Sequence, residues 1–321
     1  MTRSCRQSNG SCVAKALVIG ANGFIGSHLV DALDGAGHEV TAFDRFSSGT
    51  TTFSSERARV LTGEFLSRSD LEEAVRGQEL VFHFLSTTTP ATAESDPTLD
   101  VRTNIAQTIE LLESSVAAGV GRFVFASTGG AIYGQQGQDV YSETDQALPI
   151  SPYGIGKLAI EHYLDYFRAK HGLASTALRV SNPYGTRQRP NRKQGLIPIA
   201  LRQIALGRPI QQFGDGSMVR DYVYVEDLVR MILPVVATTP EHSTYNLGSG
   251  IGFSVSEVFA SLRRVTGVDF AIERLPQPKT FVDRVVLDVS RYEGEFGRPQ
   301  SPTSLDDGVS ALWAELGRDA G

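Results

Sequence analysis

The heptapeptide Gly20-Ala21-Asn22-Gly23-Phe24-Ile25-Gly26 follows the apolar run Ala16-Leu17-Val18-Ile19 and leads into a helical pattern over residues 24–36. No other stretch limits the fold as strongly. A short run that is apolar at every position suits a strand buried on both faces of a parallel sheet, and parallel neighbours must be joined by a crossover, usually a helix. Three glycines between strand and helix have separable uses: a tight turn, close approach of backbone to a pyrophosphate, and close packing of helix on strand. A lone glycine pattern is a weak signal. Here the next strand, residues 39–43, ends at Asp44, the context that identifies a dinucleotide-binding turn. A carboxylate there accepts from both hydroxyls of an adenosine ribose and repels a 2′-phosphate, so NAD is expected over NADP; the adjacent Arg45 pulls the other way.

The alternation continues. Strands are expected at 60–61, 80–85, 122–126 and 175–180, and helices at 69–76, 100–118 and 153–170. This predicts an α/β fold, a Rossmann-type doubly wound parallel sheet with ligands at the carboxyl ends of its strands. After Asn182 the texture changes to loops rich in Pro, Gly and Arg between short elements. We expect a disordered leader over 1–13, an NAD-binding domain over 14–182, and a smaller, discontinuous substrate lobe over 183–321. Segments 223–236 and 244–247 are expected to return to the main sheet.

The 321 residues, 41% of them hydrophobic, suffice for a large core. A net charge of -6 without blocks of like charge gives no reason to expect nucleic acid, and no apolar run reaches membrane-spanning length. Both cysteines, Cys5 and Cys12, precede the first strand, and the leader lacks the apolar region of a signal peptide. A cytoplasmic protein is expected. No His, Cys, Asp and Glu spacing suggests a metal site, and His83, inside an apolar strand, reads as a hydrogen-bonded core residue.

Chemistry is suggested by Tyr153-Gly154-Ile155-Gly156-Lys157. Ser151 and Pro152 read as the N-cap and first residue of a helix, which sets Tyr153 and Lys157 on one face. A phenol is a poor base at neutral pH, and a neighbouring ammonium favours its ionised form. Gly154 and Gly156 each cost a helix about 1 kcal/mol, a penalty understandable where something approaches the backbone closely. The plainer reading is a surface Tyr and Lys at helical spacing.

Together these residues resemble the extended short-chain dehydrogenase/reductase family, in its nucleotide-sugar epimerase branch, over residues 16–317. Further marks are Gly63-Glu64-Phe65 where the family has Gly-Asp-Ile, Asn104, and Ser127-Thr128 before Tyr133-Gly134. Asn182 in Ser-Asn-Pro-Tyr-Gly and Arg220-Asp221-Tyr222 complete the likeness. The resemblance implies that NAD is held by the turn residues Gly20, Asn22, Gly23, Phe24, Ile25 and Gly26, by Asp44 and Arg45, and by Glu64 and Phe65 at the adenine. Phe84, Leu85, Ser86, Asn104 and Ala126 would complete that site. Tyr153 would be the acid/base, Lys157 would bind the nicotinamide ribose and depress the tyrosine pKa, and Thr128 would link tyrosine to sugar.

The resemblance further implies a 4-epimerase that removes hydride from C4 of a UDP-sugar and returns it to the other face. Dehydratase and decarboxylase relatives carry a carboxylate where this chain has Gly129, Gly130 and Ala131. Gly185-Thr186-Arg187-Gln188-Arg189-Pro190 is similar to a segment of UDP-glucuronate 4-epimerases in which the second arginine holds the sugar carboxylate. Conversion of UDP-glucuronate to UDP-galacturonate is therefore the expectation, with Arg189, Ser127, Thr128, Gly129 and Gly130 around the carboxylate. The plainer reading of Arg189 is a solvated basic loop. Asn182, Gln194, Gly195 and Leu196 are implied near the substrate, Phe213 at the uracil and Arg220 on the diphosphate. Where relatives have Arg-Pro-Gly-Asp, this chain has Pro278-Lys279-Thr280-Phe281, leaving Lys279 or Arg284 as substitutes. Alternatives are a UDP-glucose/UDP-galactose or UDP-N-acetylglucosamine 4-epimerase, a nucleotide-sugar 4-ketoreductase, and a non-catalytic dinucleotide sensor. Family likeness also implies a homodimer through the helices of Asp100 and Tyr153.

Overall fold

The protein is described by a computed structural model covering residues 7–8, 11–188 and 195–319. Seven parallel strands form the central sheet, in the spatial order Thr244–Leu247, Ala174–Val180, Arg122–Thr128, Leu80–His83, Lys15–Ile19, Glu39–Asp44 and Arg59–Thr62. Of these seven, Lys15–Ile19, the first in chain order, has the second on one side and the fourth on the other. At this switch point Ile19 lies opposite Phe43 and His83, and the diverging connections leave a crevice beyond the carboxyl ends.

The all-apolar strands are explained by helices on both faces. One face is covered by helix Phe24–Gly35, through Leu29, Val30 and Leu33, and by Val225–Ala237, through Leu228, Ile232 and Val235. The other is covered by Arg68–Val75, Ala106–Ala118 and Pro152–His171, with Leu71, Leu111, Leu112, Ile160 and Leu164 in the core. Helix Val225–Ala237 and strand Thr244–Leu247 thus pack on the dinucleotide body despite their late position in the chain.

A second body has its own core. Helices Leu196–Ala205, Val255–Thr266 and Leu305–Asp319 contribute Ile197, Leu201, Val258, Leu262 and Val309. They pack around Val219–Tyr224, which pairs with Asn182–Tyr184, Gly252–Ser254 and Arg284–Val285, and near the parallel pair Ile210–Phe213 and Ile272–Leu275. Strand Asn182–Tyr184 follows directly on Ala174–Val180, so the two bodies meet at the carboxyl end of the main sheet.

The helix expected over 100–118 departs from regularity. An α-turn at Pro97–Asp100 passes into a π-helical stretch, Val101–Ile105, before Ala106–Ala118 continues and ends on a left-handed Gly119. Such insertions rotate the residues that follow and concentrate at functional sites. In the leader, Gln7–Ser8 pairs antiparallel with Ser11–Cys12. Among the described residues no helix is long and apolar enough to cross a membrane.

Candidate active site

The glycine turn is packed so that side chains are excluded. A Cβ on Gly20, whose φ is +87°, would lie 2.9 Å from the Leu85 backbone, and one on Gly26 would lie 2.1 Å from the Gly20 carbonyl oxygen. Gly20 and Ala21 donate backbone N–H groups to Phe43 O, tying the turn to the neighbouring strand. The Asp44 carboxylate accepts from the N–H groups of Asn22 at 3.0 Å and Arg45 at 2.7 Å, and Asn22 is anchored in turn to Thr50 and Thr52. Phe24 and Ile25 open the helix whose N-terminus faces the turn. Phe84, Leu85 and Ser86 follow the strand across the switch point, with Phe84 N–H donating to Ile19 O. A backbone cradle closed to Cβ atoms, a helix N-terminus and a strand-end carboxylate fit a dinucleotide.

The two residues expected at the adenine differ in their surroundings. The Phe65 ring is buried and stacked on His83, with centroids 5.1 Å apart, so that side chain belongs to the core; Glu64 is exposed and its N–H is held by Asp70. His83 donates to or accepts from Thr108 at 2.9 Å, and burial brings its pKa down to about 3, which keeps it neutral.

At the start of helix Pro152–His171, Ser151 Oγ accepts the Gly154 N–H, as an N-cap should. Both helix glycines meet neighbours: a Cβ on Gly154 would lie 2.5 Å from Ala131 O, and one on Gly156 would lie 2.1 Å from Asp100 Oδ2. The helix can therefore seat against the Gly129–Ile132 turn and against a buried carboxylate. Lys157 Nζ donates to Ala126 O at 2.9 Å and lies 4.6 Å from the Phe125 ring centroid and 5.7 Å from that of Tyr153.

The electrostatics correct the expectation for the phenol. Burial, and then the Asp100 carboxylate, push the Tyr153 pKa up to about 12, while burial brings Lys157 down to about 8 against the pull of Asp100 and Glu161. In the protein alone the tyrosine is protonated at neutral pH. Burial and the Asp100 carboxylate set the direction, so helical spacing from a lysine does not by itself lower the phenol.

Asn104 lies within the π-helical stretch and is 6% exposed. It donates to Asp100 and Thr88, at 2.8 Å each, and accepts from Thr87. Asp100 was not anticipated. As an acid in a first helical turn it carries the ordinary signature of dipole compensation and nothing that marks it as buried.

Ser127 turns away from the role expected for it. Its hydroxyl donates to Glu161 at 2.5 Å, and Glu161 is ion-paired with Arg179 at 2.8 Å, both buried. Arg179 continues to Tyr133 OH, and Tyr133 to Asn246, so Ser127 belongs to a network reaching the seventh strand. Adjacent strand residues point to opposite faces, so Thr128 projects the other way from Ser127. Of the two glycines that follow, Gly129 is pressed on Leu287, whereas a Cβ on Gly130 would have ordinary contact, 3.6 Å, with the Asn182 amide. Asn182 itself donates to Asp221 O.

On the second body, Arg220 is partly buried and donates to the backbone carbonyls of Val219, Val282 and Asp283; among the described residues no carboxylate pairs with it. Phe213 and Phe281 form an exposed edge-to-face pair, with centroids 5.5 Å apart, and Phe281 immediately precedes Val282, whose carbonyl accepts from Arg220. Phe281 thus joins Phe213 in a position that the sequence did not reveal. Lys279 is exposed, and Arg284 is engaged by Asp139 at 3.1 Å. In the Gly185–Gln188 stretch Arg187 pairs with Asp31, and Thr186 O meets His28, both on the helix after the glycine turn. Gly195, with φ +91°, caps the helix that begins at Leu196. Arg189 and Gln194 lie outside the described residues. Away from this region Glu241, His242 and Glu295 come together, a grouping the sequence spacing did not suggest.

Residues 16–248 match the model of the NAD dependent epimerase/dehydratase family. UDP-glucose 4-epimerase of Mycolicibacterium smegmatis is 31% identical over 303 residues, covering 92% of this chain and 96% of its own. The crystal structure of UDP-glucose 4-epimerase from Thermotoga maritima with UDP-glucose superposes with a TM-score of 0.89 at 35% identity, over 96% of this chain and 100% of that one. MoeE5 in complex with UDP-glucuronic acid and NAD gives a TM-score of 0.86 at 31% identity, over 95% and 99% of the two chains.

Proposed function

Because the chain belongs to the NAD-dependent epimerase/dehydratase family, we propose that it is a 4-epimerase of UDP-sugars that regenerates its NAD in each cycle. NAD, when bound, supplies reversible hydride acceptance at a sugar carbon. The observation that carries the reading is the seating of the Tyr153–Lys157 helix on a turn, Gly129-Gly130-Ala131, that bears no carboxylate. Tyr153 exchanges the proton of the sugar hydroxyl, Lys157 lends it positive charge, and Thr128 offers a hydroxyl to link tyrosine and sugar. No group stands there to take a C5 proton, which argues against dehydration. Arg220, its guanidinium held by carbonyls, suits the diphosphate, and Phe213 with Phe281 suits a base.

Within that class, the Arg187-Gln188-Arg189-Pro190 segment supports UDP-glucuronate, for which Arg189 offers a bidentate fork to the carboxylate; Arg187 is already taken by Asp31. The relatives named UDP-glucose 4-epimerase support the neutral sugar equally. The test is incubation with NAD and each of UDP-glucuronate, UDP-glucose and UDP-N-acetylglucosamine, followed by NMR of the sugars. UDP-galacturonate formation that is lost in Arg189→Ala supports the acid sugar; turnover of neutral sugars alone retires Arg189, and accumulation of NADH points to a ketoreductase. We also infer a cytoplasmic homodimer. Val101, Ile155, Tyr163 and Tyr166 leave an exposed apolar face on the Asp100 and Tyr153 helices suited to a second copy.

A further inference from the structure

Asp100 is 4% exposed, yet among the described residues no Lys or Arg nitrogen lies within 4.0 Å of it. Its Oδ1 accepts from Thr88 Oγ1 at 2.5 Å and Asn104 Nδ2 at 2.8 Å. Its Oδ2 is pressed on Gly156, at the one position between Tyr153 and Lys157 where any side chain would overlap it. A buried carboxylate without a cation in contact is expensive unless a charge nearby compensates it.

We propose that Asp100 is the buried counter-charge that keeps Lys157 in its ammonium form, and thereby a positioning residue for the Tyr153–Lys157 pair. The kinetic side of this proposal rests on the epimerase reading. The other groups facing Lys157 are already accounted for. Glu161, one turn further along the same helix, is spent on Arg179 of strand Ala174–Val180 and on Ser127. His83, from strand Leu80–His83, is a neutral ring bonded to Thr108, and Tyr153 is a protonated phenol. That leaves the Asp100 carboxylate, brought in by the segment that turns π-helical one residue later, as the uncompensated negative charge. It acts on the pair in one direction: it raises the pKa of the lysine and of the tyrosine alike.

The test compares wild type with Asp100→Asn, which removes the charge and keeps an acceptor for Thr88. Competitive acetylation of Lys157 is read by peptide mass spectrometry as a function of pH, beside the pH profile of kcat for sugar epimerisation. The expected result is a fall of about one pH unit or more in the Lys157 labelling midpoint, with both limbs of the kcat profile moving to lower pH. Thr88→Val, which removes a hydrogen bond and leaves the charge, keeps the midpoint where it is. Gly156→Ala, which pushes the carboxylate aside, moves it in the direction of Asp100→Asn and serves if that variant does not fold. An unchanged midpoint in folded Asp100→Asn, or in Gly156→Ala should that variant not fold, overturns the proposal, even if kcat falls; so does a shift of the same size in Thr88→Val. If wild type epimerises no sugar the epimerase reading fails, and the labelling still decides the role of Asp100.

Discussion

The two halves of the cleft are built by different means. On the proposed cofactor side the surface is backbone: Gly20 and Gly26 leave no room for a Cβ, and the atoms that exclude it belong to the same turn or to the segment just past strand Leu80–His83. On the proposed substrate side it is made of side chains from segments far apart in sequence, Phe213, Arg220 and Phe281, with Arg220 braced by the carbonyls of Val282 and Asp283. A site made of backbone changes only by changing the fold. A site made of side chains on loops can change its ligand while the sheet stays as it is.

Tyr153, where the halves meet, supplies the strongest test. Tyr153→Phe should lower kcat by about 10²–10⁴-fold while melting temperature and NAD affinity stay near wild type; loss of NAD binding instead would mean that the residue serves the cofactor half. Gly26→Ala comes next. A methyl 2.1 Å from the Gly20 oxygen should weaken NAD binding by about 3 kcal/mol, the upper end for overpacking, measured by calorimetry.

Arg220→Ala should confine its effect to the other half. We expect KM for the nucleotide sugar to rise by about 2 kcal/mol in binding terms, as for a lost charge-assisted hydrogen bond, with NAD affinity unchanged. Phe281→Ala is the smallest, about 0.5–1.5 kcal/mol from an aromatic pair, read as a change in the affinity of UDP itself. Equal losses of NAD and UDP in either variant would break the division between the halves.

Legibility from sequence follows the same division. The glycine turn, Asp44 and the Tyr153–Lys157 spacing are local patterns whose physics operates within a few residues, and the seven-strand sheet follows from the alternation they begin. What was not legible depends on distant partners. Ser127 and Thr128 are both hydroxyls at a strand end, and only the position of Glu161, on a helix further along the chain, decides that Ser127 faces inward to a buried ion pair. Asp100 looks like a helix-start acid until the helix at Gly156 closes over it. The direction of the Tyr153 shift also needed the fold, because spacing gives the neighbouring lysine but says nothing of burial.

The central claim is a redox-neutral inversion at one sugar carbon. It is tested most directly by supplying UDP-glucose and UDP-glucuronate deuterated at C4, with NAD, and locating the label by NMR. The account predicts an inverted product with deuterium still on C4 and no net NADH; label lost from C4 into a pool of reduced cofactor, or a product unchanged in configuration, would contradict it.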